Sequence, residues 1–236
     1  SSHSKKGNLS YIKNVKSINS FQSINSNILK YKGSKQLAYL HPNYFTPSKK
    51  VLSKYGLKPN NYIFIREISD NTLNYKGLTH TITPALCKEL KKRGFMLVMS
   101  LEDKSKHSSF SKYCLILDEP VEDFFSLIYH SSLSICSGDS VARESCVLGV
   151  PCIYVGGRTM YILDDLLNLG CLFNSNNAHD VLALVDNIVN NKIKEKTKTI
   201  IAKTIKREWH DATEVIVDNV LCKIHNDNSY IKKYQY

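Results

Sequence analysis

The sequence predicts an α/β fold: a single doubly wound parallel sheet of the Rossmann-like kind, followed by C-terminal helices. Three observations carry this. Short apolar runs rich in Ile, Val and Leu recur between residues 62 and 173. Longer stretches with helical spacing of apolar residues separate them, and glycines or prolines punctuate the joins. Strands buried on both faces read as continuous apolar runs, and parallel neighbours need helical crossovers between them.

Taken in order, residues 1–36 are polar and rich in Ser, Asn and Lys, and they read as a basic arm or hinge remnant. A Rossmann-like domain is expected over 37–192. Residues 49–55 read as a short helix stopped at Gly56, with Pro59 beyond it. Residues 62–65 form the first strand, 83–93 a helix closed by Gly94, and 95–100 the second strand. The third strand is 114–117, followed by a helix over 121–129. The fourth is 133–136, followed by a helix over 139–148 that ends at Gly149. Residues 151–155 supply the fifth strand and 161–169 a helix stopped at Gly170. A short apolar run at 171–173 then precedes a helix over 178–189. Residues 193–236 form a helical extension, with helical spacing at Trp209, Ala212, Val215, Val217, Val220 and Leu221.

The composition narrows the class. Of 236 residues, 42% are hydrophobic and 22% charged, which is ordinary for a globular chain. No apolar run approaches the roughly 18 residues of a membrane span, and residues 1–36 lack the apolar core of a signal peptide. The seven cysteines form no CxxC pair and sit largely within apolar runs, so buried reduced thiols in the cytoplasm are expected. The net charge is +11, and residues 1–36 hold seven lysines and no acid, leaving +4 for the rest. Such an arm suits an anionic partner, including peripheral contact with the inner membrane face. Nucleic acid is disfavoured, because no basic motif studded with aromatics is present. No HxxxH or HExxH pair points to a metal. The absence of GxSxG, Walker A and GxGxxG sequences argues against hydrolase, kinase and dinucleotide enzyme.

Residues 137–151 carry the chemistry. A strand ends at Cys136, and Ser137-Gly138-Asp139-Ser140 turns directly into a helix. Gly138 permits close approach of a ligand or a positive φ. Asp139 or Ser140 is placed to cap the helix, whose first amides and dipole favour an anion such as a diphosphate. One turn further in, Glu144 is positioned to accept hydrogen bonds from two ribose hydroxyls. Arg143 is either a phosphate partner or a solvated surface charge.

This turn of small residues, then Glu, then Leu148-Gly149-Val150-Pro151, resembles the nucleotide-sugar signature of GT-B glycosyltransferases. UDP-N-acetylglucosamine 2-epimerases carry a similar segment. The stretch from Tyr31 to Pro151 more closely resembles a GT-B-like family of bacterial and archaeal polysaccharide synthesis. The matching pieces are Tyr31-Lys32-Gly33, Ala38-Tyr39-Leu40-His41-Pro42-Asn43-Tyr44-Phe45-Thr46-Pro47, Ile63-Phe64-Ile65-Arg66-Glu67 and residues 137–151.

The resemblance implies that Ser137, Gly138, Asp139 and Ser140 hold the donor diphosphate and Glu144 the ribose. Arg66, ending the first strand, becomes a second phosphate anchor, with pairing to Glu67 or Glu102 as the structural alternative. Glu119, in Leu117-Asp118-Glu119-Pro120, lies where such folds bind the base, with a helix start at Glu119-Pro120 as the structural alternative. His80, Gly157 and Arg158 are loop residues that either face the sugar or are simply surface positions, the surface reading being favoured for His80. The expected ligand is a nucleotide-sugar donor, a UDP-sugar, acting as substrate with neither cofactor nor metal.

Two departures stand out. The GT-B pattern often has a second glycine or a threonine where this chain has Asp139-Ser140. An aspartate there is tolerable only if it caps the helix or meets a cation. GT-B enzymes also have two domains, so an N-terminal acceptor domain or partner subunit is expected. The C-terminal helices would cross back to it and leave an apolar patch exposed on this chain. The rival readings are an epimerase half and a non-catalytic binding module.

Overall fold

Six short strands pair in parallel because helical crossovers return the chain to the same end of the sheet. They are β1 (Tyr62–Glu67), β2 (Met96–Leu101), β3 (Leu115–Ile116), β4 (Leu133–Cys136), β5 (Cys152–Tyr154) and β6 (Leu172–Asn174). The sheet order is β3-β2-β1-β4-β5-β6. The chain therefore builds outward from β1 to one edge, returns to the centre, and builds outward again from β4. The computed structural model describes residues 29–69, 82–158 and 161–234.

The helices, in chain order, are α1 (Leu37–Leu40), α2 (Lys50–Lys54), α3 (Pro84–Lys92), α4 (His107–Phe110), α5 (Phe124–His130), α6 (Asp139–Val147), α7 (Tyr161–Asn168), α8 (Ala178–Asn190), α9 (Ile193–Arg207) and α10 (Ala212–His225). β1 shows why the sheet is covered on both faces. Its Ile63 and Ile65 join one core with Leu86, Leu90, Val181 and Val185. Its Tyr62 and Phe64 join the other with Val51, Leu52, Leu127 and Ile128. All seven cysteines are buried free thiols.

Every anticipated strand is present, and the differences lie in the connections. The helix expected from residue 121 begins only at Phe124, after Asp123 at a φ of 49°. The expected C-terminal helices are present as two, divided at Glu208–His210. There the Trp209 amide turns back to the Thr204 carbonyl, and Asp211 caps α10 by accepting from the Thr213 and Glu214 amides. The four-residue helices α1 and α4 are too short to leave a periodic signal.

This break anchors residues 29–45. The His210 amide donates to the Lys32 carbonyl at 2.9 Å, and the Lys32 amide donates to His210 Nδ1 at 3.2 Å. Gly33, at a φ of +125°, lies against Trp209 with 3.2 Å between the position of a Cβ and that of the tryptophan. Thr213 Oγ1 donates to the Ala38 carbonyl at 2.7 Å. Asn43 Nδ2 donates to Asp211 Oδ2 at 3.2 Å, and His41 Nδ1 lies 3.6 Å from the same oxygen. Ser34 and Gln36, in the segment read as an arm, are buried.

On α10, Ile216, Val217, Val220 and Ile224 are exposed and form an apolar face. No helix among the described residues is long and apolar enough to cross a membrane.

Burial pushes the Asp211 carboxyl up. Hydrogen bonds from Tyr44, the Glu214 amide and Asn43, with the nearby His41, outweigh that and hold it below the ordinary carboxylate range. Its stabilisation is therefore present above the unfolded pKa and lost as pH falls through the lower folded value. Asp211→Ala removes a helix cap and the anchor of residues 41–44, and is expected to cost about 2–3 kcal/mol. In a chain of this size that corresponds to a fall in Tm of roughly 5–10 °C, read by thermal denaturation at neutral pH. An unchanged Tm would contradict the anchoring role.

Candidate functional site

The site is built where the sheet reverses its direction of growth. β1 and β4 lie side by side with Arg66 opposite Cys136, and beyond them the two chains part in opposite directions. In open sheets of this kind the crevice outside the strands' carboxyl ends, at that switch point, is where ligands bind. Here the Ser137 amide donates to the Arg66 carbonyl at 3.0 Å. Ser137 Oγ accepts from the Ile68 amide at 2.9 Å and donates to the Arg66 carbonyl at 3.3 Å. The Ser137 hydroxyl thus ties the two loops together.

Gly138 has an ordinary φ of −94°, so positive φ is not what demands the glycine. A Cβ there would lie 2.9 Å from Ile68 Cγ2, so close packing of the two loops is the constraint. Gly156 is more stringent, since a Cβ would run into the Ser137 carbonyl and the Tyr154 ring. The loop after β5 is thereby pressed against the turn after β4.

Gly138 is the N-cap of α6 and no side chain caps the helix, contrary to the expectation for Asp139 or Ser140. Asp139 instead points inward, with a side chain 2% exposed, and meets two cations. Arg143 Nη2 lies 2.7 Å from its Oδ2, and Arg158 Nη1 lies 3.2 Å from its Oδ1. Arg143 is itself buried, so it is not a solvated surface charge. The three side chains carry one net positive charge, and its exposed part is Arg158, held also through its amide to Tyr154 Oη at 3.2 Å. Ser140 is exposed in the first turn of α6.

One turn deeper, Glu144 is 8% exposed. Tyr39 Oη donates to its Oε1 at 2.6 Å. Burial pushes the Glu144 carboxyl up. The Tyr39 hydrogen bond and the charges of Arg143, Arg66 and Lys35 offset this only in part.

On the β1 side, Arg66 Nη1 donates to Ser100 Oγ at 2.6 Å, and Ser100 Oγ donates to Glu119 Oε1 at 2.7 Å. Arg66 also pairs with Glu119 at 3.5 Å and Glu102 at 3.7 Å. The alternative of pairing with Glu102 is therefore realised, Glu119 is a second partner, and the charge of Arg66 is balanced locally.

The structure brings Ser137, Gly138, Asp139, Ser140, Glu144 and Arg158 to one turn, and sets Arg66 and Glu119 beside it in a second cluster. Gly157 is exposed in the loop next to Arg158. His80 lies outside the described residues. Sequence reasoning passed over Tyr39 and Ser100. Tyr39 stands in the segment 38–47 that carried the family resemblance, which was the available signal. Among the described residues, no group of three His, Cys, Asp or Glu side chains is placed to hold a metal ion.

The model of the family described as Protein of unknown function (DUF354) matches residues 10–225, and the chain belongs to that family. A curated relative, the Uncharacterized protein MJ0665 of Methanocaldococcus jannaschii, is 24% identical over 131 residues. The match covers 54% of this chain and 38% of the relative, so the chain spans well under half of that protein's length. Among solved structures, S. aureus MnaA in its co-structure with UDP superposes with a TM-score of 0.58 at 14% identity, covering 80% of this chain and 53% of that one. The UDP-GlcNAc 2-epimerase from Neisseria meningitidis bound to UDP-GlcNAc gives 0.54 at 12% identity, covering 73% and 48%. UGT2 of Phytolacca americana, complexed with UDP-2fluoro-glucose and pterostilbene, gives 0.50 at 13%, covering 78% and 46%. At these identities the likeness establishes the fold, which corresponds to about half of each of those chains.

Removing one partner of a buried ion pair leaves a desolvated charge, at a cost of about 3–5 kcal/mol. Asp139→Ala is accordingly expected to destabilise the chain by about 3 kcal/mol or more. Arg158→Ala, at a side chain that is 37% exposed, should cost under about 1 kcal/mol. Denaturant titration of both variants checks this, and equal losses would contradict the division of roles.

Proposed function

We propose that the chain is the donor-binding domain of a GT-B-type glycosyltransferase, holding a nucleotide-sugar at the β1–β4 switch point for synthesis of a polysaccharide or related glycan. One observation carries the reading. The uncapped N-terminus of α6 opens at the switch point, with a buried carboxylate one turn inward and an arginine at its rim. The superposition on halves of proteins whose structures contain UDP or UDP-sugars supports a uridine nucleotide as the first ligand to test.

In this reading the diphosphate lies over the first turn of α6. There the helix dipole, the Ser140 hydroxyl and Arg158 favour negative charge. Asp139 does not oppose it, because Arg143 and Arg158 already neutralise that carboxylate. Glu144 accepts from the ribose hydroxyls, and the backbone at 117–120 lies toward the base. Arg66 acts at longer range, its charge shared with Glu102 and Glu119. Gly157 lines the sugar side, with His80 assigned there from its position in the sequence.

The chemical contribution is electrostatic: fixed dipoles and a held arginine stabilise the charge that develops on the departing diphosphate. These groups do the work a metal would otherwise do, so binding is proposed to be metal-independent. The catalytic base is assigned to a second domain or subunit facing the same cleft, with the apolar face of α10 as its contact. Epimerisation at C2 of a UDP-sugar is the second reading, favoured by the likeness to the Neisseria enzyme. It needs the same donor cleft and differs in the groups the other half brings.

Calorimetric titration with UDP tests the ligand. We expect micromolar to low-millimolar binding, unaffected by a chelator, and weakened about tenfold or more in Glu144→Ala or in a Ser140→Ala, Arg158→Ala double variant, the equivalent of ~1.4 kcal/mol. Acceptance from ribose needs the carboxylate form. Because the Glu144 carboxyl is raised, affinity should fall on acidification at a pH above the ordinary carboxylate range. Binding that survives both variants undiminished would remove the cleft from consideration.

A further inference from the structure

Glu144 lies in α6, yet its side-chain hydrogen-bond donor is distant in the sequence. Tyr39 stands 105 residues earlier, in α1. Three contacts hold that short helix in place. Thr213 Oγ1 donates to the carbonyl of Ala38, the residue before Tyr39. Asp211 holds the loop that follows through Asn43 and His41. The Tyr39 ring packs on Phe125, with centroids 5.5 Å apart. Tyr39 is 41% exposed, while its hydroxyl is aimed at a carboxylate of a residue that is almost wholly buried.

An ionised carboxylate has about four acceptor positions on two oxygens. Tyr39 takes one of them on Oε1 and fixes the rotation of the group. Oε2 and the remaining lone pairs are left for a vicinal diol. We infer that Tyr39 is a positioning residue for ribose recognition, orienting the Glu144 carboxylate so that the site discriminates a ribonucleotide from its 2′-deoxy counterpart. The inference rests on the donor-binding reading and adds to it a residue and a selectivity. The segment 38–47 thereby gains a purpose: His41 and Asn43 secure the loop, and Tyr39 delivers its hydroxyl to the cleft.

The electrostatics agree with the geometry. The groups acting on Glu144 are Tyr39 from α1, Lys35 just before it, Arg143 on α6 itself and Arg66 at the end of β1. Burial works against ionisation, and the Tyr39 hydrogen bond is the largest influence in its favour. Removing that hydroxyl should raise the Glu144 carboxyl further.

The experiment compares UDP with dUDP by calorimetry on the wild-type chain, Tyr39→Phe and Glu144→Gln. The wild type is expected to prefer UDP by about tenfold. In Tyr39→Phe the affinity for UDP should fall about five- to tenfold, within the net range for an ordinary hydrogen bond. Affinity for dUDP should change by less than about twofold, so the preference collapses. A carbon-13 titration of the Glu144 carboxyl without ligand should show its midpoint moving to higher pH in Tyr39→Phe. This second readout also shows that the variant is folded.

Equal weakening of UDP and dUDP, no weakening of either, or an unmoved carboxyl midpoint would overturn the role of Tyr39 while leaving the donor site standing. A wild-type chain that binds no UDP, or a Glu144→Gln variant that binds it as well as wild type, would overturn the donor-binding reading and this inference together.

Discussion

The constraint on which the rest of the structure depends is the parallel pairing of β1 with β4. Both strands are buried on two faces, so a one-residue slip would turn their core-facing apolar side chains to the opposite face. With Arg66 opposite Cys136, the next residue of each chain emerges at the same height. The two loops are then bound to each other by the Ser137 amide and hydroxyl. The turn into α6, the close approach at Gly138 and the packing of Gly156 all follow from that junction. The site is a by-product of how the sheet grows: two strands that leave in opposite directions open a gap between them.

The charges around the gap are arranged in layers. In the inner layer Asp139 pairs with the buried Arg143 and with Arg158 at the rim. The β1 side is balanced in the same way, with Arg66 between Glu102 and Glu119. Exposed positive character is found at Arg158, beside the first turn of α6, the end of a helix where an anion is most stable. An aspartate in the turn before α6 is incongruous in the sequence. In the structure it is the strut that places an arginine.

Much of the fold was legible in the sequence, because strands buried on both faces leave unbroken apolar runs such as Tyr62–Ile65 and Leu133–Cys136. The strand-to-helix junction at the candidate site was legible for a related reason: Ser137-Gly138-Asp139-Ser140 leaves no room for a loop between β4 and α6. What escaped were partnerships between residues far apart in the chain. Arg158 is 19 residues from Asp139, and Tyr39 is 105 from Glu144. Nothing local marks either pair, and the inward turn of Asp139 depends on where the loop after β5 lands. The break at Glu208–His210 escaped because Trp209 and Ala212 continue a helical spacing even where the backbone leaves the helix to hold Lys32 and Gly33.

The most direct test of the central claim, that the β1–β4 switch point and the start of α6 form an anion-binding nucleotide cleft, is to follow backbone amide resonances while UDP is added. Saturable shifts confined to residues 137–144 and the loops at 66–69 and 155–158 are the predicted result. Shifts centred instead on α10 or on residues 1–36, with the start of α6 unmoved, would contradict it.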